Sequence, residues 1–218
     1  MVNLSYDGIP GGGAARGLSK STRTKDGTAG GVIGLVYVSA FEVPERMSLL
    51  GFVGGHHAPW VRKNQLSSRG RNVSPLLTFV LLVQPSYGLG EIADAIETLY
   101  GRVDVDTASR LDRMLLPHAL KAFESLAPQP VWAMPAFQGK VACLKCMQDP
   151  GLPPVVQDIF MKRSGIEWMV KDIEASHSAY VRKSARVGAC FPRDVCLKEM
   201  GFTTNAASVD ARDAQGLS

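Results

Sequence analysis

The chain has 218 residues, enough for one domain with a single substantial core. Its hydrophobic fraction of 45%, charged fraction of 20% and net charge of +4 are ordinary for a soluble globular protein. Basic residues occur in pairs such as Arg62–Lys63 and Arg182–Lys183 rather than in one stripe, which argues against a nucleic-acid partner. The most apolar stretch, Leu76 to Val83, is far shorter than the roughly 20 residues that span a bilayer. Met1 to Pro10 lacks the basic-then-apolar order of a secretory signal, so a cytoplasmic protein is expected.

Taken in chain order, residues 9–21 are small and helix-compatible after the glycines, and Thr24 to Gly30 reads as a polar loop. Gly31 to Ala40 (GVIGLVYVSA) is almost continuously apolar, as a strand covered on both faces of a parallel sheet should be. Helical spacing follows in Glu91–Tyr100, in Thr107–Leu116 with Asp106 as N-cap, and from His118 to Ser125. Lys140–Met147 reads as a strand, Pro154–Arg163 as a helix bounded by proline, and Ile166–Ile173 as another strand. Strands and helices alternate, so an α/β fold is expected, with a mostly helical cap inserted at about 42–130. Residues 67–88 match neither cap nor sheet, and 184–218 lose periodicity, leaving 1–183 as the folded domain and 184–218 as an irregular tail.

Four cysteines are present: Cys143, Cys146, Cys190 and Cys196. Cys143 and Cys146 form a C-x-x-C, but on a strand residues three apart face opposite ways, so core roles are expected rather than a metal site. His56 and His57 have no carboxylate near them in the sequence and read as cap-surface residues. Gly11 to Gly13 follow too short a strand, and lack a Gly-Lys-Ser/Thr, to be a phosphate loop. No cofactor or metal is expected.

Serine becomes a nucleophile when a base removes its proton, and the base needs a carboxylate to hold its tautomer and orientation. Ser5 stands just before a helix, Asp149 directly after the strand 140–147, and His177 directly after the strand 166–173. Each lies at a strand C-terminal end, where open α/β sheets place their sites, in the chain order serine, acid, histidine.

These segments resemble the α/β-hydrolase superfamily, within it the small esterase-type group of fungal hydrolases and plant methylesterase and hydroxynitrile-lyase relatives. Ser5-Tyr6-Asp7-Gly8-Ile9 resembles the S-Y-G-G-I elbow. Gln148 to Pro153, with Gln157 beyond, resembles the acid loop D-x-x-[IL]-P. Ala175-Ser176-His177-Ser178 resembles the histidine loop, and Leu115 to Phe123 resembles the cap segment L-P-H-S-L-x-A-F. The pattern departs at Asn3 and Asp7, where glycines are usual, at Leu4, Ser176 and Ala179, and in the absence of an upstream H-G loop. An α/β-hydrolase fold with its front strands missing is therefore expected, leaving the strand 31–40 with an uncovered edge.

The resemblance implies a serine hydrolase acting on a small carboxylic ester. In it Ser5 is the nucleophile, His177 the base, Asp149 the orienting acid and the Tyr6 backbone N–H an oxyanion donor. Without a second donor, activity is expected to be impaired by about 10²–10³-fold. Two other readings share these residues. One is a hydroxynitrile-lyase-like enzyme, for which Lys121 is the cap lysine of interest. The other is a non-catalytic relic or interaction protein. The pattern fixes no oligomeric state.

Overall fold

The computed structural model describes residues 1–63, 88–181 and 203–205. Five strands form the main sheet in the order β1 (Val2–Leu4), β2 (Leu35–Val38), β6 (Val141–Cys146), β7 (Trp168–Ile173) and β8 (Thr203–Asn205). The first four run parallel and β8 is antiparallel to β7. Every residue of β2 is buried, as are all but Lys145 in β6, which accounts for their continuous apolar text. Leu35, Tyr37, Val141, Cys143, Trp168 and Val170 form the core on one face. Val36, Val38, Ala142, Leu144, Cys146 and Met169 form it on the other. Cys143 and Cys146 are buried on opposite faces and form no disulfide. Each fully buried aliphatic side chain here contributes about 1.5–3 kcal/mol.

Helices α1 (Gly8–Ala14) and α2 (Lys20–Lys25) connect β1 to β2, and α7 (Pro154–Ser164) connects β6 to β7. Helix α2 extends into the segment expected as loop, because Ser19 caps it: the Ser19 hydroxyl accepts from the Thr22 N–H at 3.1 Å. Helix α7 starts on Pro154 and stops at Gly165, whose φ of +71° is the left-handed helix terminator. The edge of β2 is not bare. Val2, Asn3 and Leu4 pair with Val36, Tyr37 and Val38, and the Met1 ammonium donates to the Gly34 carbonyl. The strands with one neighbour in this sheet, among the described residues, are β1 itself and β8 at the far side.

Between β2 and β6 lie α3 (Leu49–Phe52), α4 (Ala95–Tyr100), α5 (Val105–Met114) and α6 (Leu120–Glu124). A small antiparallel sheet of β3 (Val61–Lys63), β4 (Leu89–Ile92) and β5 (His118–Ala119) joins these helices. The helix expected from Glu91 begins later, because Asp94 at φ +46° breaks the backbone and Glu91 is paired with Arg62 across β3 and β4. Helix α5 is capped by Asp104, not Asp106: Asp104 accepts from the Thr107 N–H at 2.9 Å. Residues 67–87 and most of the tail, with Cys190 and Cys196, lie outside the described residues, although Thr203–Asn205 supply β8. No described helix is long and apolar enough to cross a membrane.

Candidate active site

Because β1, β2, β6 and β7 are parallel, the residues that follow them emerge along one edge of the sheet. Ser5 follows β1, Asp149 follows β6 and His177 follows β7. The structure brings Asp149 and His177 together: His177 Nδ1 lies 2.7 Å from Asp149 Oδ2. A carboxylate only accepts, so Nδ1 carries the proton, and the lone pair of the neutral ring is on Nε2. The Asp149 side chain is fully buried. Its other oxygen accepts from the Leu152 N–H at 2.8 Å.

Gln157 braces this loop from α7. Its amide nitrogen donates to the carbonyls of Cys146 (3.1 Å) and Leu152 (2.8 Å), and its oxygen accepts from the Cys146 N–H (3.2 Å). Past the strand ends, Met147 N–H donates to Ile173 O and Gln148 N–H to Ala175 O, each at 3.0 Å, so the acid and histidine loops leave the sheet as a bonded pair. Ser178 N–H donates to Leu99 O at 3.1 Å, tying the histidine loop to α4.

Ser5 joins extended Leu4 to a single 3-10 turn, Ser5–Asp7, that runs into α1. Its φ is +50°, a costly angle for a side chain of this type. The strain is fixed by packing: Phe41 N–H donates to Ser5 O at 3.0 Å, and a Cβ on Gly8 would sit 2.5 Å from Phe41 O. Asp7, by contrast, has φ −57°, is exposed and has no need of a glycine. Asn3 lies buried in β1 and takes the space that Gly11 leaves by lacking a side chain. Ser176 has no positive φ either, so serine serves there without strain. Ser39, after β2, also has a positive φ (+41°), but it is fully buried, whereas Ser5 is half-exposed. Among the described residues the Ser5 hydroxyl makes no hydrogen bond, to His177 or to any other group.

Tyr6 stands in the first turn, where backbone N–H groups have no partner within the helix. Its phenol, whose pKa burial raises, donates to Ala122 O in α6 at 2.9 Å. A cavity of about 650 Å³ opens beside the site. Phe41, Leu49, Trp60, Phe123 and Leu152 give it apolar walls, and the exposed His56 and half-buried His57 also line it. Burial and the nearby Lys63 ammonium lower the His57 pKa against the opposing pull of Glu124. Trp60 Nε1–H donates to Gly151 O at 3.1 Å, joining cavity wall to acid loop. Sequence reasoning missed the wall residues, since single aromatics in a cap carry no period. A second cavity of about 660 Å³, lined by Trp132, Phe137 and Trp168, lies at the opposite ends of β6 and β7 and is remote from this chemistry.

His118 stacks on Phe123 at 4.8 Å between ring centroids and meets the Tyr6 ring edge-on at 4.8 Å. Lys121 pairs with Glu124 at 3.1 Å on an exposed face. No group of three or more metal-ligating side chains occurs among the described residues.

No family model and no curated protein sequence matches this chain. Solved structures do. A polyneuridine aldehyde esterase superimposes with a TM-score of 0.56 at 18% identity, over 87% of this chain and 68% of its own. A pyrethroid hydrolase from Sphingobium faniae JZ-2 gives 0.53 at 16%, over 87% and 67%. A methylesterase from Arabidopsis gives 0.51 at 18%, over 86% and 65%. At such identities the likeness is one of architecture, and with the parallel sheet and the site edge described above it shows that this chain carries the α/β-hydrolase fold over about two thirds of the length of those enzymes.

Proposed function

We propose that the chain is a serine hydrolase for a small carboxylic ester. The observation that carries this reading is the hydrogen bond between His177 and the buried Asp149 on the same sheet edge as a serine held at a left-handed backbone angle. Ser5 Oγ attacks the ester carbonyl while His177 Nε2 takes its proton, and Asp149 stabilises the resulting imidazolium. The Tyr6 N–H donates to the oxyanion. His177 returns the proton to the departing alcohol, leaving an acyl group on Ser5. A water, deprotonated by His177 in turn, releases the carboxylic acid and restores the serine. The cavity beside Phe41 and Leu152 suits an apolar acyl or alcohol group. That enzymes with this fold act on esters, as their names state, supports the same class.

Lys121, on which a lyase reading depends, stands on an exposed face beside Glu124 and is not among the residues that line the cavity, which favours the hydrolase. A fluorophosphonate probe bonds to an activated serine. The expected result is labelling of the folded chain that disappears in Ser5→Ala, together with hydrolysis of p-nitrophenyl acetate lowered by at least about 10³-fold. Labelling that persists in Ser5→Ala, or none in folded protein, would overturn the assignment.

A further inference from the structure

The elbow that carries Ser5 is gripped from two sides, and each grip includes or touches a wall of one cavity. On the core side Phe41 donates its N–H to Ser5 O and packs against Gly8. On the cap side the Tyr6 phenol bonds to Ala122 O, and its ring meets Phe123 edge-on at 5.6 Å and His118 at 4.8 Å. Phe123 in turn touches His57 at 5.8 Å. Phe41, Phe123 and His57 all line the 650 Å³ cavity.

We propose that Tyr6 is a positioning residue whose side chain couples filling of the Phe41–Phe123 cavity to the geometry of the Ser5 elbow. The proposal rests on the reading of Ser5 as nucleophile, and it adds that the apolar part of the ester contributes to turnover as well as to binding. An apolar group seated against Phe123 holds α6 in place. Through the Ala122 carbonyl, α6 holds the Tyr6 phenol, and Tyr6 carries both the peptide joined to Ser5 and the oxyanion N–H. Binding energy from a remote group is then expressed in the chemical step. A one-ångström displacement of such a donor is enough to cost about 10²-fold.

The test compares kcat and KM for p-nitrophenyl acetate and p-nitrophenyl hexanoate in the full chain and in Tyr6→Phe, which keeps the ring and removes the bond to Ala122. The wild-type kcat is expected to favour hexanoate by about tenfold, within the usual range of coupling between sites. In Tyr6→Phe, kcat should fall about threefold for acetate and about thirtyfold for hexanoate, with the KM ratio of the two esters retained. An equal fall for both esters means a merely structural role and overturns the proposal, as does no fall.

Hydrogen exchange separates this proposal from the enzymatic reading. Amides of residues 4–9 should exchange faster in Tyr6→Phe and in Phe123→Ala, while those of 141–149 stay unchanged. Unchanged exchange at 4–9 overturns the coupling even if the chain is an esterase. Faster exchange in a chain that hydrolyses neither ester sustains the coupling and removes the hydrolase.

Discussion

The acid–histidine half and the serine half of the site are built by different means. Asp149 and His177 leave two six-residue strands paired over five registers, continue as bonded loops, and are braced by a fully buried glutamine. Ser5 leaves a three-residue strand with one neighbour among the described residues, and is held by the fit of Gly8 on Phe41 and by the reach of Tyr6 into the cap. Backbone ladders are obligatory bonds that hold wherever the cap sits. Contacts to the cap hold only while the cap is in place. The acid–histidine half is therefore the more rigid, its ties to the cap at Leu99 and Trp60 adding to its ladder, and the serine half is conditional.

The largest effect that can break this comparison comes from Asp149→Asn. The asparagine keeps the oxygen that accepts from Leu152 but presents an amide N–H to His177, forcing the wrong tautomer. By analogy with serine proteases, kcat should fall about 10³–10⁴-fold with the thermal transition nearly unmoved. A fall of less than tenfold would mean that the rigid half is not the base.

Next is Gln157→Ala, which strips the brace and removes its three buried hydrogen bonds to the backbone of Cys146 and Leu152. A loss of about 3 kcal/mol in urea unfolding is expected. A loss below about 1 kcal/mol would show that the strands alone position Asp149.

The smallest effect concerns Glu42, fully buried just after β2, with one carboxyl oxygen unpartnered among the described residues. Burial holds its pKa well above the ordinary 4.5, and it faces Tyr37 and Cys143, both also raised by burial. The folded chain retains a proton that the unfolded chain releases. This carboxyl therefore subtracts nothing below pH 4.5 and progressively destabilises the fold as pH rises from there towards the folded value. Glu42→Gln should flatten the decline of urea midpoint between pH 5 and 8. An unchanged slope would assign that decline elsewhere.

Much of the sheet could be read from the text. The strands β2 and β6 and the first half of β7 are buried on both faces and read as apolar runs, while Asp149 and His177 follow β6 and β7. The departures from glycine at Asn3 and Asp7 say nothing of where the turn is strained: the left-handed angle belongs to Ser5, since packing of Gly8 on Phe41 sets the turn and such packing has no local signature. The cap sheet leaves no pattern in the sequence because its strands are two to four residues long, below the span over which alternation can be recognised. The bond from Tyr6 to Ala122 crosses 116 positions, beyond the reach of any pattern in one chain.

The neighbouring side chain of Asn3 and missing side chain of Gly11 make a pair with an evolutionary corollary. Neither position is free to drift alone: enlarging residue 11 collides with the amide at 3, while trimming residue 3 to glycine opens a hollow beneath the first helix. Variants that restore the usual glycine before the elbow should be tolerated best when residue 11 grows at the same time, so libraries aimed at this turn have to diversify both codons together.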